Sequence, residues 1–255
     1  LSSSATLQKG LLLLDRLVRD QGRTAFADLA CDLSIPISTA HRLLALLEER
    51  RLVLRVGKGR YMGGGALLDL AGDTDLASIL RRTARPFLRH IAHEAGRTAH
   101  LGVLDDGMVT YLIKEQGGSP LLFTQEGMQL EAYCSGIGKM LLSALAPADL
   151  DAYLADGPFI ALTKHTVTDP ARLREILTDV RRRDYALDDR EVAEDLCCLA
   201  VPLRARPDRI VAAISLSGPA EDFDRGTIGA LTQTLSRCAH QIAGQTWHQI
   251  AQKAT

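Results

Sequence analysis

Thr24 to Met62 reads TAFADLACDLSIPISTAHRLLALLEERRLVLRVGKGRYM, and this stretch decides the fold. Phe26-Ala-Asp-Leu-Ala-Cys-Asp32 has helical spacing, with Leu29 and Ala30 facing inward. Leu33-Ser34-Ile35-Pro36 is a turn. Ile35 fills the gap between two helices, and Pro36 stands where a helix can start without losing a needed N–H. Ser38 or Ser34 is expected to cap the next helix, Ser38 to Glu49. Its inner side is predicted to carry Ala40, Leu43, Leu44, Leu46 and Leu47. Ser38, Thr39, His41 and Arg42 are then left near its N-terminal end. Leu52-Val53-Leu54-Arg55 pairs with Arg60-Tyr61-Met62 across Val56-Gly57-Lys58-Gly59, whose glycines supply the positive φ of the turn. Helix, turn, helix and basic ribbon make a winged helix-turn-helix. Double-stranded DNA is the partner it implies, because a recognition helix presents its N-terminal side chains to base edges in the major groove.

Ser38, Thr39, His41 and Arg42 are therefore the candidate base and phosphate contacts. Arg55, Lys58 and Arg60 are the candidate backbone contacts of the wing. Charge agrees. Residues 1–63 hold ten Lys/Arg against six Asp/Glu, a net of +4; the remaining twenty against twenty-five leave −5, giving the chain's −1. A basic head on an acidic body suits a regulator better than a nucleic-acid coat. Aromatic residues make up 4% of the chain, too few for single-strand binding on stacked rings.

At 255 residues, 46% hydrophobic and 24% charged, the chain has room for two soluble domains. Leu11 to Leu14 is far too short an apolar run to span a bilayer, and no secretory leader pattern is visible. Cys31, Cys134, Cys197, Cys198 and Cys238 are odd in number and lack CxxC spacing, which fits free thiols in a reducing cytoplasm.

Ala5 to Asp20 is an amphipathic helix with Leu7, Leu11, Leu14, Leu17 and Val18 at helical spacing. It should pack behind the reading head and could carry part of a subunit contact. The expected domains are a winged helix-turn-helix over 1–63, a linker helix over 64–80 and an α+β body over 81–255. In the body, strands are expected at Thr98–Leu104, Met108–Lys114, Leu121–Thr124, Gln129–Ala132, Ala186–Asp188, Leu199–Leu203 and Ile210–Ser217. Helices are expected at Leu76–Gly96, Ser135–Leu145, Asp149–Leu154, from Pro170 to Arg183 behind an Asp169 cap, and from about Asp224 to the end. Hairpin-joined strands with helices on one face describe a sensor domain.

Several segments, in order, resemble the IclR family of bacterial transcription regulators. They are Ile35 to Arg50, Gly138-Lys139 with the apolar helix behind it, Leu162-Thr-Lys-His-Thr-Val-Thr-Asp-Pro170, Tyr185-Ala-Leu-Asp-Asp189, Cys198-Leu-Ala-Val-Pro202 and Ser215-Leu-Ser-Gly-Pro219. The resemblance spans nearly the whole chain. It implies a homodimeric or tetrameric regulator, a repressor by preference, with a GAF-like C-terminal domain that binds a small metabolite and needs no cofactor or metal. It places the effector's polar lining on Gly136, Ile137, Asp188, Cys198, Ser215 and Ser217. The N–H groups of Gly136 and Ile137 open a helix, an end that attracts carboxylates. Ser215 and Ser217, two apart on a strand, point to one side.

The chain also departs from the family pattern. Tyr133-Cys134-Ser135 stands where the family often has a His-Ala-Thr/Ser run, Glu131 replaces a common proline, Asp195 a common glycine and Leu121 a common arginine. With Phe123, Met128, Leu130 and Met140 nearby, these changes suggest a relatively apolar pocket for an aromatic or branched organic acid or its neutral derivative.

Other chemistries fit less well. Gly136-Ile-Gly138-Lys139 lacks the earlier glycine and the Ser/Thr of a phosphate loop. Ser135 is outside any G-x-S-x-G elbow. His90 and His93 lack the H-E-x-x-H order of a zinc helix and read as a solvated face. No base is clearly paired with Cys198 for an enzymatic role, and Cys134 with Cys197 and Cys198 reads as core thiols rather than a redox switch.

Overall fold

A computed structural model describes residues 3–118 and 122–247. The chain divides into two compact units, Leu1–Leu76 and Ala77–Thr255. In the first, α1 (Ser3–Asp20), α2 (Phe26–Asp32) and α3 (Ile37–Glu49) precede a ribbon of β1 (Val53–Gly57) and β2 (Arg60–Gly63), followed by α4 (Ala66–Gly72). Leu13, Leu17, Phe26, Leu29, Ile35, Leu44 and Val53 form its core. Along α1 the buried stripe runs through Leu13 and Leu17, while Leu7 and Leu11 face solvent.

The turn differs from the expectation. Helix α3 starts one residue early, at Ile37, with Pro36 as its N-cap and no side-chain cap. Ser34 lies instead in the turn, in a left-handed conformation at φ 53°. Leu46 is exposed, because Ala40, Leu43 and Leu44 already fill the inner face of α3. The wing turn is tighter than expected: Gly57 pairs with Arg60, leaving Lys58-Gly59 at the tip. Only Gly59 there needs positive φ, at +67°, where a side chain would be strained.

The second unit opens with α5 (Leu76–Ala95). It continues through β3 (Thr98–Asp105), β4 (Met108–Gln116), β5 (Gln129–Glu131), α6 (Gly136–Leu142), α7 (Pro147–Ala155), α8 (Pro170–Arg183), β6 (Ala186–Asp189), β7 (Leu196–Arg206), β8 (Arg209–Pro219) and α9 (Arg225–Trp247). The strands form one antiparallel sheet in the order β5-β4-β3-β8-β7-β6. Asp169 caps α8 by accepting the Arg172 N–H, as its sequence promised.

Helices cover both faces of this sheet, not one. Leu101, Leu199, Val201, Ile214 and Leu216 pack against Leu80, Leu88 and Ile91 of α5 and Leu235 and Ile242 of α9. The alternate residues of the same strands, such as Ala200 and Ala213, pack against Ile137, Met140 and Leu142 of α6 and Leu177 and Val180 of α8. Helix α6 is packed closely because Gly136 lies against β7, where a Cβ would stand 2.9 Å from the Cys198 carbonyl oxygen, and Gly138 lies against the turn at Ala132, where a Cβ would stand 2.2 Å from that carbonyl oxygen. The expected strand at Leu121–Thr124 does not form over Leu122–Thr124, and Leu121 lies outside the described residues. So does the last stretch of the expected final helix, beyond Trp247. Among the described residues no helix is long and apolar enough to cross a membrane.

Candidate functional site

In the first unit the N-terminal end of α3 presents Ser38, His41 and Arg42 to solvent, with Thr39 half-buried beside them. Phe26 organises this surface. Its ring packs on His41, centroids 5.0 Å apart, and edge-on against Tyr61 of the wing, 5.7 Å apart. Its N–H donates to the Gly59 carbonyl at the wing tip, 2.8 Å. Arg55 folds back on the Gly57 carbonyl, and Arg60 reaches the Gly22 carbonyl. Lys58 is exposed at the tip and has no partner among the described residues. Helix face and wing therefore form one braced surface that carries cations.

In the second unit a cavity of about 20 Å³ opens on the α6 side of the sheet, room for about one water molecule. Register builds its floor. Asp188 of β6 pairs with Cys198 of β7, Cys198 with Ser217 of β8, and Ser217 with Thr98 of β3. One row further on, Ser215 pairs with His100, and His100 with Lys114 of β4. Asp188, Cys198, Ser217, His100 and Ser135 line the cavity; Tyr111, Leu130, Val192 and Leu196 supply apolar wall, and Leu122-Phe123-Thr124 complete it.

The polar groups are buried and mostly engaged. Asp188 Oδ1 accepts the Glu191 N–H at 2.8 Å and the Val192 N–H at 3.4 Å. Burial nonetheless pushes its carboxyl up to about 7, against the pull of the Lys139 ammonium. His100 Nε2 and Thr124 Oγ1 share a hydrogen bond of 2.8 Å. Burial, helped by the Lys114 charge, holds His100 down at about 3 and so neutral. Burial and the Asp188 charge push the Cys198 thiol up to about 11, despite the Ser217 and Ser215 hydroxyls beside it. A nucleophilic cysteine needs the opposite shift. Ser215 Oγ, fully buried, has no hydrogen-bond partner of good geometry.

Lys139 is 1% exposed and reaches from α6 to pair with Glu191 and donate to the Leu187 carbonyl. The Thr163 and Thr166 hydroxyls donate to the Arg190 and Glu191 carbonyls, at 2.6 and 2.7 Å, and so hold the loop that carries Glu191. These contacts give Gly138-Lys139 and the 162–170 stretch structural work. Two wider clefts, about 390 and 320 Å³, lie around Asp184, Arg204 and Pro207. There Arg204 is paired with Asp184, and Arg181 caps the Ser143 and Leu145 carbonyls. Among the described residues no group of His, Cys, Asp and Glu could hold a metal ion, and His90 is an exposed partner of Glu94.

A family model described as the C-terminal region of the bacterial transcriptional regulator IclR matches residues 76–244, and one described as the IclR helix-turn-helix domain matches residues 6–57. The chain belongs to the IclR family. It is a ligand-responsive, DNA-binding transcriptional regulator of mixed α+β fold. It is 33% identical to the transcriptional repressor IclR of Escherichia coli K12, over 84% of this chain and 80% of that protein. It is 30% identical to the regulator BhcR of Paracoccus denitrificans, over 93% and 85%. The crystal structure of the Thermotoga maritima IclR matches with a TM-score of 0.63 and 28% identity, covering 95% of this chain and 99% of that one. An IclR homologue from Microbacterium hydrocarbonoxydans, crystallised with 4-hydroxybenzoate, shares the fold at a TM-score of 0.62 and 24% identity, over 94% and 98% of the two chains.

Within this IclR-family fold the cavity brings together Asp188, Cys198, Ser217 and Phe123 from the sequence-derived set. Gly136 packs on its edge, where a Cβ would meet the Cys198 carbonyl oxygen at 2.9 Å. The Ile137 and Met140 side chains join the α6 core, and Met128 packs against it. Tyr133 is not on the lining: its hydroxyl donates to the Ile160 carbonyl and accepts the Ile160 N–H, and its ring packs on Phe159. Sequence reasoning missed His100, Thr124 and Tyr111. The alternation of Thr98-Ala-His100 along a strand was the available signal, since it puts a histidine and a threonine on one face.

Proposed function

We propose that a two-fold dimer of this chain sets two α3 helices in successive major grooves of a roughly palindromic operator and represses transcription until a small organic acid, or a derivative of one, occupies the cavity on the α6 side of the sheet. The observation that carries the DNA half is the braced surface. Ser38, Thr39, His41 and Arg42 stand on one helix face, with Arg55, Lys58 and Arg60 on a wing tied to it through Phe26. Repression is the sign named for the Escherichia coli relative. The effector half rests on the cavity, whose buried polar floor and apolar wall suit a small polar organic molecule. A protein of the same fold takes 4-hydroxybenzoate, a small polar organic acid, and the cavity here must widen to admit a ligand of that kind. The domains assigned to these roles are residues 1–63 and 81–255, with 64–80 as linker. An effector switches the protein only to the extent that it binds the two arrangements of the heads unequally.

The test is fluorescence-anisotropy titration of the DNA upstream of its own gene, with and without a library of small organic acids and their derivatives. Tight, salt-sensitive binding that one compound weakens is the expected result. Arg42→Ala should relax preference at one base by about 1–3 kcal/mol. Lys58→Ala should weaken all sequences alike and flatten the salt slope by about one. Absence of DNA binding at low salt would overturn the operator reading; binding that no compound shifts would overturn the effector reading.

A further inference from the structure

Lys114 is a cation beside the cavity without an acidic partner among the described residues. It stands opposite His100 in the β3–β4 register, on the face that looks into the cavity. Its ammonium donates to the Leu122 carbonyl at 2.7 Å and the Thr124 carbonyl at 2.6 Å, both on the cavity wall. An ammonium has three donors, and two neutral carbonyls leave its charge unbalanced. Desolvation lowers its pKa, with no carboxylate opposing the shift. Glu115, the next residue, is paired with Arg85 and Arg89, and Glu126 accepts the Lys114 backbone N–H and is paired with Arg85. The 117–128 segment contains no Lys, Arg or His that could compete for an incoming anion.

The far end of the cavity has the opposite character. Asp188 sits on β6, four strand spacings from β4 in the sheet order, about 19 Å between backbones in a flat sheet. Both N–H groups that reach its carboxyl fall on Oδ1, so Oδ2 is the atom that can meet a ligand. In the first turn of α6, Gly138 N–H is already taken by the Ser135 hydroxyl at 3.1 Å. A carboxylate beside Asp188 is tolerated only with Asp188 protonated, whereas a hydroxyl or amino donor suits its charged form. Between the two ends the wall is Tyr111, Leu130, Val192 and Leu196. A ligand that meets both groups must therefore carry its polar ends apart, with an apolar body between them.

We infer that the cavity takes a bifunctional small acid, whose carboxylate engages Lys114 and whose far end carries a hydroxyl or amino donor for Asp188. This rests on the effector reading above and deepens it. Entry needs the wall to give way, since the cavity now holds about 20 Å³. The wall is suited to that. Leu122-Phe123-Thr124 belongs to no helix or strand, and Phe123 is 51% exposed. Its ties to the sheet include the two Lys114 bonds and the His100–Thr124 bond. An incoming carboxylate competes for the first two, so recognition and opening share one side chain.

The experiment is calorimetric titration of the full chain with two matched series: 4-hydroxybenzoate, benzoate and phenol; and 4-hydroxybutyrate, butyrate and 1-butanol. In at least one series the bifunctional member should bind about ten-fold or more tightly than either single-function analogue, as expected for charge-assisted hydrogen bonds. Lys114→Met should remove the advantage of the acid over the alcohol or phenol, Lys114→Arg should keep it, and Asp188→Asn should remove the advantage of the hydroxyl. Each is a ratio within one variant, which general loss of folding does not produce. Acids that bind wild type and Lys114→Met alike would overturn this inference and leave the effector reading standing. Failure of both bifunctional members to bind would overturn the ligand class, while the organic-acid library against operator DNA decides the effector reading separately.

Discussion

The two faces of the six-stranded sheet are made by the same strands, residue by alternate residue, and they could hardly differ more. Towards α5 and α9 the strands present Ala99, Leu101, Leu199, Val201, Leu203, Ala212, Ile214 and Leu216, every one of them apolar and buried. Towards α6 the same strands present apolar Ala200 and Ala213 under the helix but also Thr98, His100, Cys198, Ser215 and Ser217, with Asp188 from β6, and these polar groups are buried too. Burial is thus equal and chemistry is not. The apolar face holds the sheet by area removed from water, roughly 25 cal/mol per Å². The polar face tolerates buried groups that cost free energy unless partnered. A strand with period two lets one backbone do both.

Breaking the polar face at its base should have the largest effect. Lys139→Met leaves Glu191 buried without its cation and should cost about 3–5 kcal/mol in urea unfolding, most of it recovered in Lys139→Met/Glu191→Leu. A double variant no better than the single one would show that the pair is not the cause. On the apolar face, Ile214→Ala should cost about 2–4 kcal/mol by transfer and cavity terms, yet leave the ratios among matched effectors unchanged. Altered ratios would mean that the two faces are coupled.

A smaller effect comes from pH, because burial moves two groups of the polar face in opposite directions. Asp188 is raised from 3.8 to about 7, so its contribution to stability is full below the ordinary carboxylate value and is lost as pH rises towards 7. His100 is lowered from 6.5 to about 3, so stability is lost as pH falls below 6.5 and the unfolded chain takes up the proton. Between about pH 4 and 6.5 the two oppose each other. Relative to wild type, Asp188→Asn should lose urea midpoint as pH is lowered through that window, and His100→Gln as pH is raised. Parallel profiles for the two variants would sink this account. Least of all, Ser215→Ala should change stability by no more than about 1 kcal/mol, since the hydroxyl it removes has no neighbour of good hydrogen-bond geometry beyond the weakly polar Cys198 thiol. A large loss on denaturation would reveal a partner for that oxygen.

The head was readable because its signals are local. Ile35 and Pro36 mark the turn, and Lys58-Gly59 marks the wing tip, all within a few residues of what they control. The details that slipped were matters of phase. With α3 starting at Ile37 behind Pro36, Ser38 falls inside the first turn and Ser34 stays in the turn before it, so neither is the cap. Leu46 belongs to an apolar run longer than the face it serves. The cavity was readable in part. Period two placed Ser215 and Ser217 on one side, but the row Asp188–Cys198–Ser217–Thr98 depends on pairings between strands far apart in sequence. The apolar Leu-Leu-Phe run at 121–123 suggested a strand. Residues 122–124 are instead wall, held by side chains of β3 and β4 where a ladder would have used backbone.

The bond from the Phe26 N–H to the Gly59 carbonyl joins the wing tip to the start of α2. With both prongs of the head fixed to one ring, the span between them is a built-in gauge. A duplex whose grooves already match that span is gripped without bending, whereas a stiff duplex of the wrong width must deform to be held. If α3 and the wing are the two DNA contacts proposed above, the head measures the DNA as well as reading it, like a caliper whose jaws are held by one ring and one backbone hydrogen bond.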